Sequence, residues 1–464
     1  MSLTDIGVTI ALLAAVPAIF LYPFTGIVGW YTIAYLNPHR FGYGFAYGLP
    51  LGLVFGAGTI LVWLLSNERK VPPITPSVVL VALFTLHFSM TTVFALVPDG
   101  AYYEWDRTVK ITVMSLIAAA MLTSRERLHA MIWILVLGIG FHGLKGGLFT
   151  LLTGGGYMVV GPPQSFFSDR NFLAVQLATV IPLMRYLQMQ TADKRIRLGL
   201  TVMMTLSAFA VLGTQSRAGF LTLAVLGAYI VMKSRHRIQL GIAAILLAVA
   251  TLSFMPQDWM DRMETIQNPM EDRSFEGRIT SWIAAVEIAT ARPVRGAGFE
   301  GYRSGEVSTN RAWHSIWFQV LGEQGWVGFL LWLGVGIATW MQLGVVRRRA
   351  RGRPEHTWAG DMAAMIQVSL AAFAVGGSAL DLAYVDLIYH LAIMSSALFA
   401  LSRTWSEPAE AGDSGGGIRT MGTAGPRGST DPAAQPAQAA GRSAPRPRQA
   451  FAKASKRSNE GSQS

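Results

Sequence analysis

Long apolar runs separated by short polar connections make up most of this chain, and runs of this length cross about 30 Å of hydrocarbon as helices. They fall at 6–21, 49–65, 77–97, 108–122, 128–152, 171–187, 198–213, 218–232, 238–255, 326–346, 359–378 and 383–401. A shorter apolar piece at 26–36 predicts a further span or a re-entrant element. The expected fold is an all-α polytopic membrane protein with about 12 transmembrane helices. It divides into an N-terminal transmembrane bundle (1–255), one large polar loop (256–325), C-terminal transmembrane helices (326–402) and a tail (403–464). No basic region precedes the first apolar run, so the N-terminus is expected to be a first span and not a cleaved signal.

Basic residues in the connections orient these spans, because Lys and Arg near span ends stay on the cytoplasmic side. Arg69 and Lys70, Arg125 and Arg127, Lys194 to Arg197, Lys233 to Arg237, and Arg347 to Arg353 occupy every second connection. Those five are expected to be cytoplasmic. The connections 98–107, 153–170, 214–217, 256–311 and 377–382 then face the outside. The tail is rich in Gly, Pro, Ala and Ser, carries nine basic against five acidic residues, and lacks apolar periodicity, so it is expected to be a disordered cytoplasmic segment.

Composition agrees with a membrane protein: 52% of residues are hydrophobic, 14% are charged, and mean hydropathy is +0.38. So little polar surface does not suit a soluble globule of 464 residues. The formal charge of +11 sits mostly in the cytoplasmic connections and the tail, which argues for contact with anionic membrane lipids and against nucleic acid. There is no cysteine, hence no disulfide and no thiolate chemistry. The eight histidines are scattered, and neither a His-x-x-x-His pair nor an Asp-x-Asp motif is present. We therefore expect neither a metal site nor a cofactor. Glu104-Trp-Asp106, flanked by Tyr102 and Tyr103, reads as an interfacial aromatic belt.

The loop 256–311 carries seven arginines, no lysine and nine acids. A planar, permanently charged guanidinium grips phosphate oxygens two at a time, so an arginine-only loop suggests a diphosphate ligand. Arg217, in Thr214-Gln-Ser-Arg217, interrupts two apolar runs at the external boundary; it either faces such a ligand or snorkels to the interface. Between Ser274 and Arg292, apolar Ile279, Trp282, Ile283, Val286 and Ala289 have the spacing of one helix face, and Pro293 ends the helix. Arg278 lies in its first turn and Arg292 in its last. Arg295-Gly-Ala-Gly298 reads as a flexible turn whose backbone approaches a ligand. A second amphipathic piece starts at His314, with Trp317, Phe318 and Leu321 apolar, and runs through Glu323-Gln-Gly325 into the next span. His314 is the external-loop side chain whose ordinary pKa suits a general base, although a lone interfacial histidine also serves as a hydrogen-bonded structural residue.

Ser216-Arg217 opening a span, Arg278-x-x-x-Trp282, Pro293-x-x-Gly296-x-Gly298 and His314-Ser315 ahead of Glu323-x-Gly325-x-x-Gly328 together resemble the O-antigen ligase and polymerase superfamily. Asn37-Pro-His-Arg40, with Trp30-Tyr31 ahead and Gly42-x-Gly44-Phe45 behind, is similar to the putative O-glycosylation ligases associated with exosortase A systems. The likeness covers the chain to about Leu401; one departure is Ser315, where members often carry Asn. The resemblance implies a bacterial inner-membrane glycosyltransferase of GT-C-like architecture, inverting and metal-independent. It would move a glycan from an undecaprenyl-diphosphate carrier to an acceptor hydroxyl at the periplasmic face. In that frame Arg217 and Arg278 hold the diphosphate and stabilise the leaving group's charge, and His314 accepts the acceptor's proton. Arg170, Arg292, Arg295 and Arg311 are candidates for guiding the anionic donor, and Asp381 and Asp386 for orienting His314 or an arginine. The acceptor stays open among lipid A core, a growing glycan (a polymerase) and a protein (an O-oligosaccharyltransferase). A lipid-linked glycan flippase or transporter and a purely structural membrane protein are the alternatives of other classes. A transporter predicts charges along a central path, whereas mid-span polar residues here are nearly limited to His142, Lys145 and Arg185.

Overall fold

The computed structural model describes residues 3–41, 44–233, 239 and 273–405. Among these, regular structure is helical and no strand occurs. Thirteen α-helices follow in chain order: α1 Leu3–Leu21, α2 Phe24–Leu36, α3 Leu51–Leu65, α4 Pro76–Thr92, α5 Pro98–Met121, α6 Arg125–Leu152, α7 Arg170–Gln190, α8 Lys194–Gly213, α9 Arg217–Lys233, α10 Arg273–Ala291, α11 Ile316–Ala350, α12 Thr357–Gly377 and α13 Asp386–Ser402. Each predicted span inside the described residues falls on one of these helices. The span at 238–255, the first part of the arginine loop and the tail beyond Trp405 lie outside them. The ambiguous piece at 26–36 is α2, which buries Ile27, Tyr31 and Tyr35.

Among the described residues, five helices are long and apolar enough to cross a membrane: α6, α7, α8, α11, and α12 with the turn before it. Three of their starts are fixed by a local cap. Ser124 caps α6 through the Arg127 N–H, Asp169 caps α7 through the N–H groups of Asn171 and Phe172, and Asp193 caps α8 through that of Arg195. Pro76 and Pro98 open α4 and α5, where a missing N–H costs nothing. Helices α7 and α13 are buried on nearly all sides, as continuous apolar sequence requires, and α7 touches α6, α8, α9 and α12.

The connections gather in two groups at opposite ends of these helices. At one end Glu68 pairs with Arg127 at 2.6 Å, Arg125 lies over Trp358, Gln190 bonds Asp361 at 3.1 Å, and Arg349 bonds Ser402 at 2.9 Å. These are the basic connections. At the other end Leu96 N–H bonds the Ala297 carbonyl, and the 377–385 connection meets the start of α11. Helix α11 holds one break, at Gly325, with φ +66°.

Candidate active site

His314 owes its position to backbone geometry. Trp313 before it is buried, and Ser315 after it is the N-cap of α11. His314 itself takes φ +48°, a left-handed conformation uncommon outside glycine, which turns its imidazole out of the path of the helix. Its Nδ1 lies 3.5 Å from Oδ2 of Asp381, in the connection between α12 and α13. The imidazole keeps 47% of its surface exposed, so Nε2 remains available to a ligand while Nδ1 faces the carboxylate.

Helix α10 brings Arg278 to the same place. Trp282 Nε1 donates to the Trp313 carbonyl at 3.0 Å, and its ring stacks on Phe318 of α11 at 5.0 Å. Arg278 stands one turn earlier on that side of α10. Its charge reaches both partners. Burial, with the Arg278 charge behind it, holds the His314 imidazole below its usual value, and the Asp169 carboxylate pulls the other way. Burial pushes Asp381 up to about 7, opposed by the backbone N–H groups of His314 and Ser315 and by Arg278. Ser315 Oγ is buried without a hydrogen-bond partner among the described residues. The start of α11 is thus served by the Asp381 carboxylate rather than by its own N-cap hydroxyl.

The remaining predicted residues divide. Arg311 lays its guanidinium over Gly277, next to Arg278. Arg170 opens α7 directly after Asp169 and holds Nη1 2.8 Å from Met158 Sδ. Arg217 opens α9 with its side chain exposed; the turn before it is tied to the 153–170 connection by Val159 N–H to Gly213 O and Gln215 Nε2 to Gly155 O. Arg292 pairs with Glu306 at 2.6 Å and Arg295 lies over Phe94. Both stand at the far end of α10, roughly 21 Å along the helix from Arg278 at 1.5 Å per residue. Asp386 is the first residue of α13 and is buried.

Two readings are corrected. The turn Arg295-Gly-Ala-Gly298 does not offer its backbone to a ligand: the N–H groups of Gly296, Ala297 and Gly298 bond Arg292 O, Gly322 O and Glu323 O. Gly296 and Gly298 are both at positive φ: the first lets this turn lie flat against the break in α11, and the second lets it pack on Ala95. Nor is Glu104-Trp-Asp106 simply a belt. Tyr102 and Tyr103 are exposed, but Trp105 donates to Ser89 Oγ at 2.9 Å and Glu104 pairs with Arg107.

Glu104 and Arg107 face a cavity of about 860 Å³ that also takes in Trp313 and Asp381 beside His314. Carboxylates reach it from three further elements: Asp169, Glu323 and Asp386. Glu323 is buried and accepts the Glu300 N–H at 3.2 Å. Aromatic rings line it too, among them Trp30, Phe166, Tyr302 and Tyr384. Arg40, Arg107 and Lys110 are its cations. The available sequence signal was the i, i+3 and i, i+4 pairing Glu104–Arg107 and Asp106–Lys110, which sets charge along one stretch of α5.

An imidazole and a carboxylate 3.5 Å apart, both under the charge of Arg278, stand beside a polar, aromatic-lined cavity at one end of an apolar helical bundle. Residues 202–333 match the family model described as O-antigen ligase, and residues 3–192 match one described as a family of unknown function. The match over residues 202–333 supports the resemblance to the O-antigen ligase and polymerase superfamily, and with it a ligase- or polymerase-like role in membrane glycan transfer. Arg217, Arg278 and His314 all fall in the first matched segment; Arg40, Glu104 and Asp169 fall in the second. A search of curated proteins finds no match to the chain.

Proposed function

We propose that this protein transfers a glycan from an undecaprenyl-diphosphate carrier to an acceptor hydroxyl, by one inverting displacement and without a metal, at the periplasmic face of the bacterial inner membrane. The observation that carries the reading is the 3.5 Å approach of His314 Nδ1 to Asp381, a residue that lines the cavity, with the Arg278 charge acting on both. The acceptor oxygen attacks the anomeric carbon and the carbon–oxygen bond to the diphosphate breaks. The acceptor proton passes to His314 Nε2, and the diphosphate leaves as an anion. Asp381 fixes the ring through Nδ1 and supports the imidazolium that forms. Arg278 and Arg217 hold the diphosphate and meet the charge that develops on it, with Arg311 and Arg170 guiding the donor's approach. A fixed guanidinium needs no reorganisation as that charge appears. Arg292, taken by Glu306, and Arg295, over Phe94, are assigned to the packing of the loop. Asp386 belongs to the cavity behind His314.

In domain terms, His314, Arg278 and Arg311 come from the loop (256–325), Asp381 from the C-terminal helices (326–402), and Arg217, Arg170 and part of the cavity lining from the N-terminal bundle (1–255). The similarity of the 37–45 stretch to O-glycosylation ligases of exosortase A systems favours a ligase over a polymerase. The test is reconstitution of the purified full chain in liposomes with a carrier-linked glycan and, separately, lipid A core, carrier-linked glycan alone, and a polypeptide acceptor, without added metal. Transfer to one acceptor by wild type and not by His314→Ala supports the reading; chain growth on the carrier makes the protein a polymerase. Movement of the carrier across the bilayer with no transfer to any acceptor makes it a flippase.

A further inference from the structure

The cavity's three cations are not equivalent. Arg107 pairs with Glu104 and lies over the Phe166 ring at 4.3 Å, and Lys110 pairs with Asp106 at 2.6 Å. Arg40 is held by neutral groups. Its Nη1 donates to Gln164 Oε1 at 2.8 Å and its guanidinium lies over the Tyr47 ring at 4.6 Å. Among the described residues no carboxylate stands within ion-pair distance of it. Two left-handed residues fix this arrangement. Asn37, with φ +52°, ends α2 and starts the turn Pro38–Phe41 that carries Arg40; Gln164, with φ +55°, presents its amide from the 153–170 connection. A guanidinium clamped by a ring and an amide has lost its rotamer freedom already and keeps its charge for a ligand.

Elsewhere the cavity's charges oppose an anion or cancel: Asp169 and Glu300 are carboxylates, and Arg107 and Lys110 are paired with Glu104 and Asp106. Those carboxylates and rings suit the hydroxyls and faces of neutral sugar. Arg40 is the lining cation that has no carboxylate partner among the described residues. We propose that Arg40 determines specificity for glycans bearing an acidic substituent, a sugar carboxylate or phosphate ester, by gripping that group where it lines the cavity. This rests on the proposed function, which supplies the glycan; the carrier's diphosphate is the other source of the same chemistry, and the test separates the two.

Calorimetric titration of the full chain in detergent uses three probes: a glucuronic acid tetrasaccharide, a neutral glucose tetrasaccharide, and farnesyl diphosphate as a short carrier. Arg40→Gln is expected to weaken the acidic tetrasaccharide roughly tenfold, the scale of one charge-assisted contact, and Arg40→Lys to recover part of that loss. Neutral tetrasaccharide and farnesyl diphosphate should bind Arg40→Gln as they bind wild type, with an unchanged thermal midpoint. Acidic tetrasaccharide that binds wild type and Arg40→Gln alike, or does not bind wild type, overturns the inference. So does an equal loss for farnesyl diphosphate, which would make Arg40 a carrier ligand. If Arg278→Gln still weakens farnesyl diphosphate while Arg40→Gln changes nothing, this inference falls and the proposed function stands.

Discussion

His314 combines a strained backbone, a carboxylate at Nδ1 and a nearby guanidinium, and each leaves a measurable trace. Because burial and Arg278 hold the imidazole below its usual value, His314 is neutral and able to accept a proton through the neutral range and somewhat below it. Asp381, raised to about 7, gains its proton sooner as pH falls, and with it loses the negative charge that supports imidazolium. The rate of transfer is therefore expected to fall as pH drops through about 7. Asp381→Asn should be slow at every pH and lack that limb, which a pH series of initial rates in liposomes reads directly. His314 and Arg278 were legible in the sequence because arginine without lysine and one loop histidine are compositional facts. Asp381 was legible only as an acid near an external turn. Arg40 was missed because its partner, Gln164, lies 124 residues away and nothing local marks the contact.

At the scale of elements, helix α10 is where periodicity misled. The sequence places Ile279, Trp282, Ile283, Val286 and Ala289 on one apolar face; Ala289 is buried, but the buried side otherwise runs through Gly277, Ser281, Ala284, Ala285 and Ile288, while Ile283 is 54% and Val286 38% exposed. Hydrocarbon is as apolar as a protein core, so beside a membrane large apolar side chains do not mark the packed face; small ones do, because they let backbones approach. A Cβ on Gly322 of α11 would already lie 3.2 Å from that of Ala285. Ala285→Leu is thus expected to cost about 1–3 kcal/mol by overpacking, and Ile283→Ala less than about 0.5 kcal/mol, compared by thermal unfolding in detergent. The break in α11 is equally specific. A Cβ on Gly325 would meet Pro293 O at 2.6 Å and Arg292 O at 2.9 Å, at a φ that L side chains avoid. Gly325→Ala should lower stability by roughly 1–3 kcal/mol or more and disturb transfer as well, because α10 and α11 carry Arg278 and His314.

Across the whole molecule, the alternation of basic connections anticipated which loops come together. Arg127 pairs with Glu68 and Arg125 lies over Trp358, so three of the basic connections meet, and Arg349 bonds Ser402 at the end of α13. The number of spans was less legible, since α1, α3, α4, α9 and α13 are apolar but short, and length alone does not separate a short span from a buried helix. The cavity was not legible at all: it is assembled from α2, α5, the 153–170 connection, the arginine loop and the start of α13, which sequence order keeps apart. Sidedness is open to a simple test because the chain has no cysteine, so any introduced thiol is unique. Ser308→Cys should react with a membrane-impermeant maleimide from the periplasmic side in intact spheroplasts, and Ala192→Cys only after lysis. Labelling of both from outside would contradict the assigned topology.

The most direct test of the chemistry is a single-turnover measurement of glycan transfer, alongside donor binding, for wild type and His314→Ala. Loss of a general base predicts a rate lower by roughly 10²- to 10⁴-fold with donor affinity nearly unchanged, because the arginines and not His314 hold the diphosphate. A His314→Ala rate within a few fold of wild type would contradict the account, whatever the donor affinity.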